Sequence, residues 1–404
     1  MGIFQFFKKE KKVIKYILTL FLISRFLLTI TGVYSRNFFQ KFNENSVDWR
    51  YTGKSWLDIW GVWDSGYYLD IAKRGYALDQ NYEFTVITPQ NSFGNNQYNY
   101  AFFPLYPIAI KLFSYLFKDF FISGVLVSNL SLLIMSFVLY KLTKLLFNDK
   151  IALSSVKFLF LYPTSFIYSA VYAESMLTLL IILACYLSEK KKILPSVIVA
   201  SLAALTKLSG ILVTMPLMIN HLKSYFKTYK DFRSKVNNQA VITKFLLILL
   251  PLGTIILLIF YQSLDSGIPF IFFKTESLGW GTKLTNPIQT IKSILTSTLD
   301  PNSYFILKKI ALMFIVAEIT MLFVSYKKIA SSYWLFWFMA FIITLLSGNA
   351  AANLPRYSLM FFPQFFALAM LIQKKPIFNS LLTTFLPLIQ ILLMALWVNG
   401  AASL

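Results

Sequence analysis

Apolar runs of about 17 to 22 residues return along the whole chain, each the length that carries a helix across a hydrocarbon core. An unpaired backbone group costs several kcal/mol in lipid, so such runs are helices or strands of a closed barrel. They are too long and too uniformly apolar for barrel strands, which alternate in polarity and need only about ten residues. The fold class that follows is an all-α polytopic membrane protein. Composition agrees: 57% of the 404 residues are hydrophobic and mean hydropathy is +0.62.

The spans are expected near 13–33, 120–140, 152–169, 174–188, 194–207, 209–222, 243–262, 304–325, 332–347, 356–372 and 377–398, a bundle of about eleven helices. Several are too short for a full crossing, which points to helices broken or buried within the protein. A net charge of +21 would suggest nucleic acid in a soluble protein. Here the cations gather in short clusters between the runs, so topology accounts for them and nucleic acid is excluded as a partner. The clusters are Lys8/Lys9/Lys11/Lys12/Lys15, Lys141/Lys144/Lys150, Lys190/Lys191/Lys192, Lys223/Lys227/Lys230/Arg233/Lys235, Lys327/Lys328 and Lys374/Lys375. All fall on one side if the N-terminus is cytoplasmic. Residues 1–404 then form a single multi-pass membrane domain with two long non-cytoplasmic loops, 34–119 and 263–303.

A cleaved signal peptide is rejected, because the run from Val13 to Val33 is too long for one, contains Arg25 and lacks a small-residue cleavage site. The single Cys185 lies inside a span, so no intrachain disulfide or thiol metal site forms. The single His221 sits at a cytoplasmic helix end and reads as structural, which excludes a His-based triad or a His-rich metal site.

The first long loop carries the chemistry. In Trp60-Gly61-Val62-Trp63-Asp64-Ser65-Gly66-Tyr67-Tyr68-Leu69-Asp70, carboxylates stand among phenol and indole rings just after a membrane span. Those are the groups that hold a sugar and deprotonate one of its hydroxyls. Trp56, Trp60, Trp63 and Tyr67 recur at helical spacing and predict one interfacial helix, with Asp64, Tyr68, Ile71 and Gly75 on the adjacent stripe. Asp70 lies off the face of Asp64, which argues against a carboxylate pair. A polar flap is expected over Asp79–Asn99, and the prolines of Phe103-Pro104-Leu105-Tyr106-Pro107 predict a turn into a short surface or re-entrant helix ending near Phe117.

At this point the residues resemble a family. Trp63-Asp64-Ser65-Gly66-Tyr67-Tyr68 with Ile71-Ala72 and Gly75-Tyr76, then Phe102-Phe103-Pro104-Leu105-Tyr106-Pro107, is similar to the PIG-V-type mannosyltransferases and their prokaryotic relatives, in the GT-C class of membrane glycosyltransferases. The likeness continues in Tyr162-Pro163-Thr164-Ser165-Phe166 with Tyr172-Ala173-Glu174-Ser175, in Thr206-Lys207-Leu208-Ser209-Gly210, in Pro269-Phe270 with Gly279-Trp280-Gly281, and in Pro355-Arg356-Tyr357 with Phe362-Pro363. It implies a GT-C-like bundle that transfers a mannosyl or other hexosyl unit, with inversion, from a polyprenyl-phosphate donor to a glycolipid or glycan acceptor on the non-cytoplasmic face. It also implies the bacterial cell membrane, or the endoplasmic reticulum membrane in a eukaryote. Relatives commonly have arginine where this chain has Lys207, which keeps the charge and loses the planar fork.

The chemistry of the residues agrees. A lipid phosphate departs without an acid, so one base and a cation suffice. Asp64 is the expected base. Arg356, placed by Pro355 at a helix start, is the leading phosphate cation, with Lys207 as the second. Glu174, Tyr67, Tyr68 and Trp280 are the expected contacts to acceptor or sugar. No metal ligands and no definite cofactor are assigned, with a divalent metal left open. The rival readings are a secondary transporter, disfavoured because the acids cluster outside the spans and no internal repeat is evident, and a non-catalytic assembly subunit.

Overall fold

The structure, a computed structural model, describes residues 3–38, 49–78, 97–231, 238–297, 304–373 and 375–400. Among them every regular element is helical: α1 (Ile3–Phe38), α2 (Ser55–Asp58), α3 (Ser65–Arg74), α4 (Leu105–Phe117), α5 (Phe120–Leu146), α6 (Asp149–Leu161), α7 (Glu174–Glu189), α8 (Ile193–Thr206), α9 (Thr214–Asp231), α10 (Asn238–Ile248), α11 (Leu250–Ser266), α12 (Ile271–Gly279), α13 (Pro287–Ser297), α14 (Tyr304–Ser325), α15 (Ser331–Leu346), α16 (Leu354–Tyr357), α17 (Pro363–Leu371) and α18 (Pro376–Val398). Local chemistry sets several starts. The Asp119 carboxylate accepts the Ile122 amide at 2.8 Å ahead of α5, and the Asn148 side chain accepts that of Ile151 at 3.0 Å ahead of α6. A turn from Asn99 to Ala101 leads into α4, which ends at Phe117 where the short helix was expected to end.

Among the described residues, four stretches are long and apolar enough to cross a membrane as unbroken helix: Glu10–Phe38, Phe120–Leu146, Ile242–Ser266 and Pro376–Val398. The expected span 304–325 coincides with the unbroken helix α14, and the remaining ones fall on shorter or interrupted helices. The run 152–169 stops at Leu161, because Tyr162 must be extended (ψ 137°) ahead of Pro163. The run 356–372 is not one helix but a series of short turns, α16 and α17, since Pro355 and Pro363 each lack the amide a continuous helix needs.

Broken backbone at membrane depth leaves carbonyls that lipid cannot satisfy. Two polar side chains from distant helices do so here. Arg25 of α1 donates to the Ser165 carbonyl at 3.0 Å and to Ser169 Oγ at 2.9 Å, with its guanidinium over the Phe160 ring. Gln390 of α18 donates to the carbonyls of Phe160 (3.1 Å) and Tyr162 (2.9 Å). Arg25 is therefore a brace for the chain between α6 and α7. Glu318 departs from the expectation that acids lie outside the spans. It is buried in α14, accepting from Trp337 Nε1 at 2.7 Å and from the Tyr162 hydroxyl at 3.3 Å.

The bundle has a basic end and an opposite end. Glu10 meets Lys141, joining the start of α1 to the end of α5. Glu189 accepts from Asn220 and Tyr333, and Lys223 donates to Ser331, so the end of α7 and the middle of α9 meet the start of α15. α5 starts beside Gly61, and α7 starts at Glu174, so both run away from the first loop toward the lysine clusters. With the positive-inside rule, reporters beside Asp64, Trp280 and Asn353 are expected to be labelled from outside intact cells, and those beside Lys191 and Lys327 only after the membrane is opened. Labelling of Lys191 from outside would invert this orientation.

Candidate active site

The segment before Asp64 is shaped by close packing. A Cβ on Gly61 would stand 2.3 Å from a Phe121 ring carbon and 2.6 Å from Tyr51, so only glycine lets the chain pass there. Trp63 then adopts φ 53°, a left-handed conformation rare for a bulky side chain, and packs on Trp49 at 5.3 Å. These two residues break the single interfacial helix expected from the aromatic spacing. Trp56 is exposed whereas Trp60 and Tyr67 are buried, so no continuous stripe lies along a membrane surface. Asp64 precedes α3, yet its carboxylate caps no amide of that helix, while its own amide donates to the Tyr172 hydroxyl at 3.2 Å.

The carboxylate reaches Arg356 instead. Asp64 Oδ2 lies 2.5 Å from Arg356 Nη1, and Glu174 Oε1 lies 3.5 Å from Arg356 Nε. Lys207 Nζ donates to the same Glu174 oxygen at 2.8 Å. Two carboxylates and two cations from four distant parts of the chain thus form one network, walled by Tyr172, 5.4 Å beneath the Arg356 guanidinium, and by Tyr357, against which both cations stack. Arg356 and Glu174 are buried, whereas Asp64 and Lys207 are 23% and 26% exposed, so the network opens to one side. Glu174 Oε2 has no hydrogen-bond partner among the described residues. Glu174 is also the first residue of α7, where an acid complements the helix dipole. Arg356, expected to be a cation open to phosphate, is engaged by two carboxylates in this state.

Tyr67 stacks on Phe102 at 4.7 Å and meets the edge of Trp280 at 5.5 Å. Tyr68 is more deeply placed, edge-on to Phe102 and Tyr106, and burial foremost, with Glu174 and Asp64 nearby, pushes its phenol well above the ordinary range. Tyr68 is 4% exposed, less than Tyr67 at 9%. Asp70 is held by Arg74 and by Asn99 Nδ2 at 2.8 Å, away from Asp64, in keeping with its position off that face. Residues 79–96 of the expected flap lie outside the described residues, but Gln97 donates to the Gly279 carbonyl at 2.9 Å and ties the two long loops together. Among the described residues, no group of three or more His, Cys, Asp or Glu side chains converges as a metal site would require.

Sequence reasoning passed over Glu276. It is half-buried on α12, its Oε2 accepting from the Thr282 hydroxyl at 3.0 Å. Burial pushes its carboxyl up, against the pull of Thr282 and Lys207. The signal available was a carboxylate close before Gly279-Trp280-Gly281 in the second long loop.

The sequence profile described as mannosyltransferase (PIG-V) matches residues 7–266. The chain belongs to that family. No curated protein matches the sequence. The fold is similar to the oligosaccharyltransferase of Archaeoglobus fulgidus in its complex with zinc and sulfate, at 10% identity and TM-score 0.44, covering 92% of this chain and 53% of that one. Two further structures of that organism's enzyme are similar at 11% identity. One is tethered to an acceptor peptide (TM-score 0.42, covering 98% of this chain and 56% of that one), and one holds an inhibitory peptide and a dolichol-phosphate (0.43, 98% and 55%). The chain spans about half the length of those structures.

In this PIG-V family member the placement of Lys207 depends on Gly210. The chain turns from α8 through Lys207, extended at φ −164°, into a tight 3-10 turn, and a Cβ on Gly210 would stand 2.1 Å from the Ala203 carbonyl oxygen. Gly210→Ala is expected to cost about 1–3 kcal/mol, the usual size of an overpacking penalty. Thermal unfolding in detergent measures it, and an unchanged midpoint would show that the turn relaxes freely.

Proposed function

We propose that this chain is a membrane mannosyltransferase. It moves a mannosyl or other hexosyl unit from a polyprenyl-phosphate-linked donor to a lipid-linked or glycan acceptor on the non-cytoplasmic face, with inversion. The observation that carries the reading is the Asp64–Arg356–Glu174–Lys207 network, placed at the end of the bundle away from the lysine clusters. The acceptor hydroxyl oxygen forms the new bond to the anomeric carbon while its proton passes to Asp64. The bond from that carbon to the phosphate oxygen breaks, and its electron pair stays on the phosphate. Arg356 and Lys207 stabilise the charge that grows there.

The network is neutral, two acids against two bases, so an arriving phosphate has to compete with a carboxylate for Arg356. The unpartnered Glu174 Oε2 is a ready acceptor for a substrate hydroxyl. A transporter reading needs ionisable groups free to exchange partners inside the membrane, whereas Arg25 and Glu318 are held by fixed hydrogen bonds.

Asp64→Asn is expected to fold, to bind the phosphate-bearing donor at least as tightly as the wild type, and to lower turnover by roughly a hundredfold or more, the weight of a positioned base. Transfer from polyprenyl-phosphate-mannose by the purified protein measures this, and near-normal turnover would remove Asp64 from the mechanism. Arg356→Ala should weaken binding of polyprenyl phosphate and slow turnover, with Arg356→Lys recovering only part, since a point charge replaces a two-pronged contact. Full recovery by lysine, with unchanged affinity in both variants, would leave Arg356 no role at the phosphate.

A further inference from the structure

Glu276 stands on a segment fixed from three directions. Gln97 of the first loop holds the Gly279 carbonyl. The Thr285 amide donates to the Leu346 carbonyl at 2.9 Å, at the end of α15, from which the chain turns toward Arg356. Thr282 closes back on Glu276 twice, its amide on the Glu276 carbonyl and its hydroxyl on Oε2, each at 3.0 Å. Gly281 (φ 65°) makes that turn. Gly348 (φ 63°) lets the two segments touch, since a Cβ there would stand 2.7 Å from Thr285 Oγ1. The second loop is thereby held against both the aromatic residues of the first loop and the turn that carries Arg356.

The next residues bring Trp280 edge-on to Tyr67 and to Phe102, at 5.5 and 5.6 Å. An aromatic wall with one carboxylate beside it is a common form of ligand site, in which the rings give contact area and a few polar atoms set orientation. Glu276 Oε2 is steadied by the Thr282 hydroxyl. Its charge lies within electrostatic range of Lys207, Asp64 and Arg356, on a segment that the Thr285 amide ties to the end of α15 ahead of Arg356. Lys207 and Arg356 are the cations assigned to the donor phosphate. A hexose joined to that phosphate lies directly beside it, so a carboxylate on the segment that carries Trp280, with the same cations in electrostatic range, is placed for the sugar ring rather than for the lipid tail.

Resting on the proposed transferase reading, we propose that Glu276, oriented by Thr282, recognises hydroxyl groups of the donor's hexosyl unit against the Tyr67, Phe102 and Trp280 rings. A carboxylate accepts from two neighbouring hydroxyls at once, a contact that bare polyprenyl phosphate cannot make.

The test titrates two probes, polyprenyl-phosphate-mannose and bare polyprenyl phosphate, against the purified full chain in nanodiscs. Glu276→Gln should lower affinity for the sugar-bearing lipid roughly tenfold or more, the weight of hydrogen bonds to a charged group, and leave affinity for the bare lipid unchanged. Thr282→Val should do the same to a smaller degree, because it loosens the carboxylate without removing it. Equal affinity of the wild type and Glu276→Gln for the sugar-bearing lipid would overturn the proposal. A parallel loss for both lipids would overturn it too, as would a fall in turnover with no change in affinity, which would assign Glu276 to proton transfer. A wild type that binds neither lipid would sink the transferase reading and this inference with it.

Discussion

A guanidinium shared by two carboxylates holds the site together. Arg356 meets Asp64 across 292 residues of sequence and, through its Nε edge, Glu174 at the start of α7, which Lys207 also grips. Removing Arg356 leaves two carboxylates short of a partner, at a cost of up to about 3–5 kcal/mol for a buried pair, whereas without Asp64 the guanidinium still has Glu174. The same interdependence suits transfer chemistry, because a site already balanced in charge can receive a phosphate only by exchanging partners. In the proposed reaction that exchange frees Asp64 when the donor is in place.

The broken helices around the network follow from the same need. Glu174 and Arg356 stand where they do because the chain leaves helical geometry at Pro163 and at Pro355, and every carbonyl so exposed must find a donor inside the protein. Arg25 and Gln390 supply donors from the first and last helices, and Thr164 binds the Pro355 carbonyl at 2.8 Å, joining the two irregular segments directly. The polar residues of the spans are thus largely structural supports for a site at one end of the bundle.

The helical fold and the residues of the charge network were legible in the sequence. Apolar run length dictates helices in lipid, and Asp64, Glu174, Lys207 and Arg356 stood out as charged residues beside proline, glycine and aromatic rings. Their mutual pairing was not legible, since no local pattern says that residues so far apart converge. The expected interfacial helix failed at Gly61 and Trp63, where tertiary packing overrides the aromatic spacing. Tyr68, read as a sugar contact, is packed against Phe102 and Tyr106 and buried, since spacing along a helix does not tell a lining face from a packed one. Glu276 was missed because its neighbours come from three separate segments.

The sharing of Arg356 is tested most directly by measuring bare polyprenyl phosphate affinity in the wild type, Asp64→Asn, Arg356→Ala and the double variant. If the phosphate and Asp64 compete for one guanidinium, Asp64→Asn binds the lipid phosphate several-fold tighter than the wild type, and that gain vanishes when Arg356 is absent. Affinity left unchanged by Asp64→Asn, or the same gain with and without Arg356, would contradict a shared cation at the centre of the site.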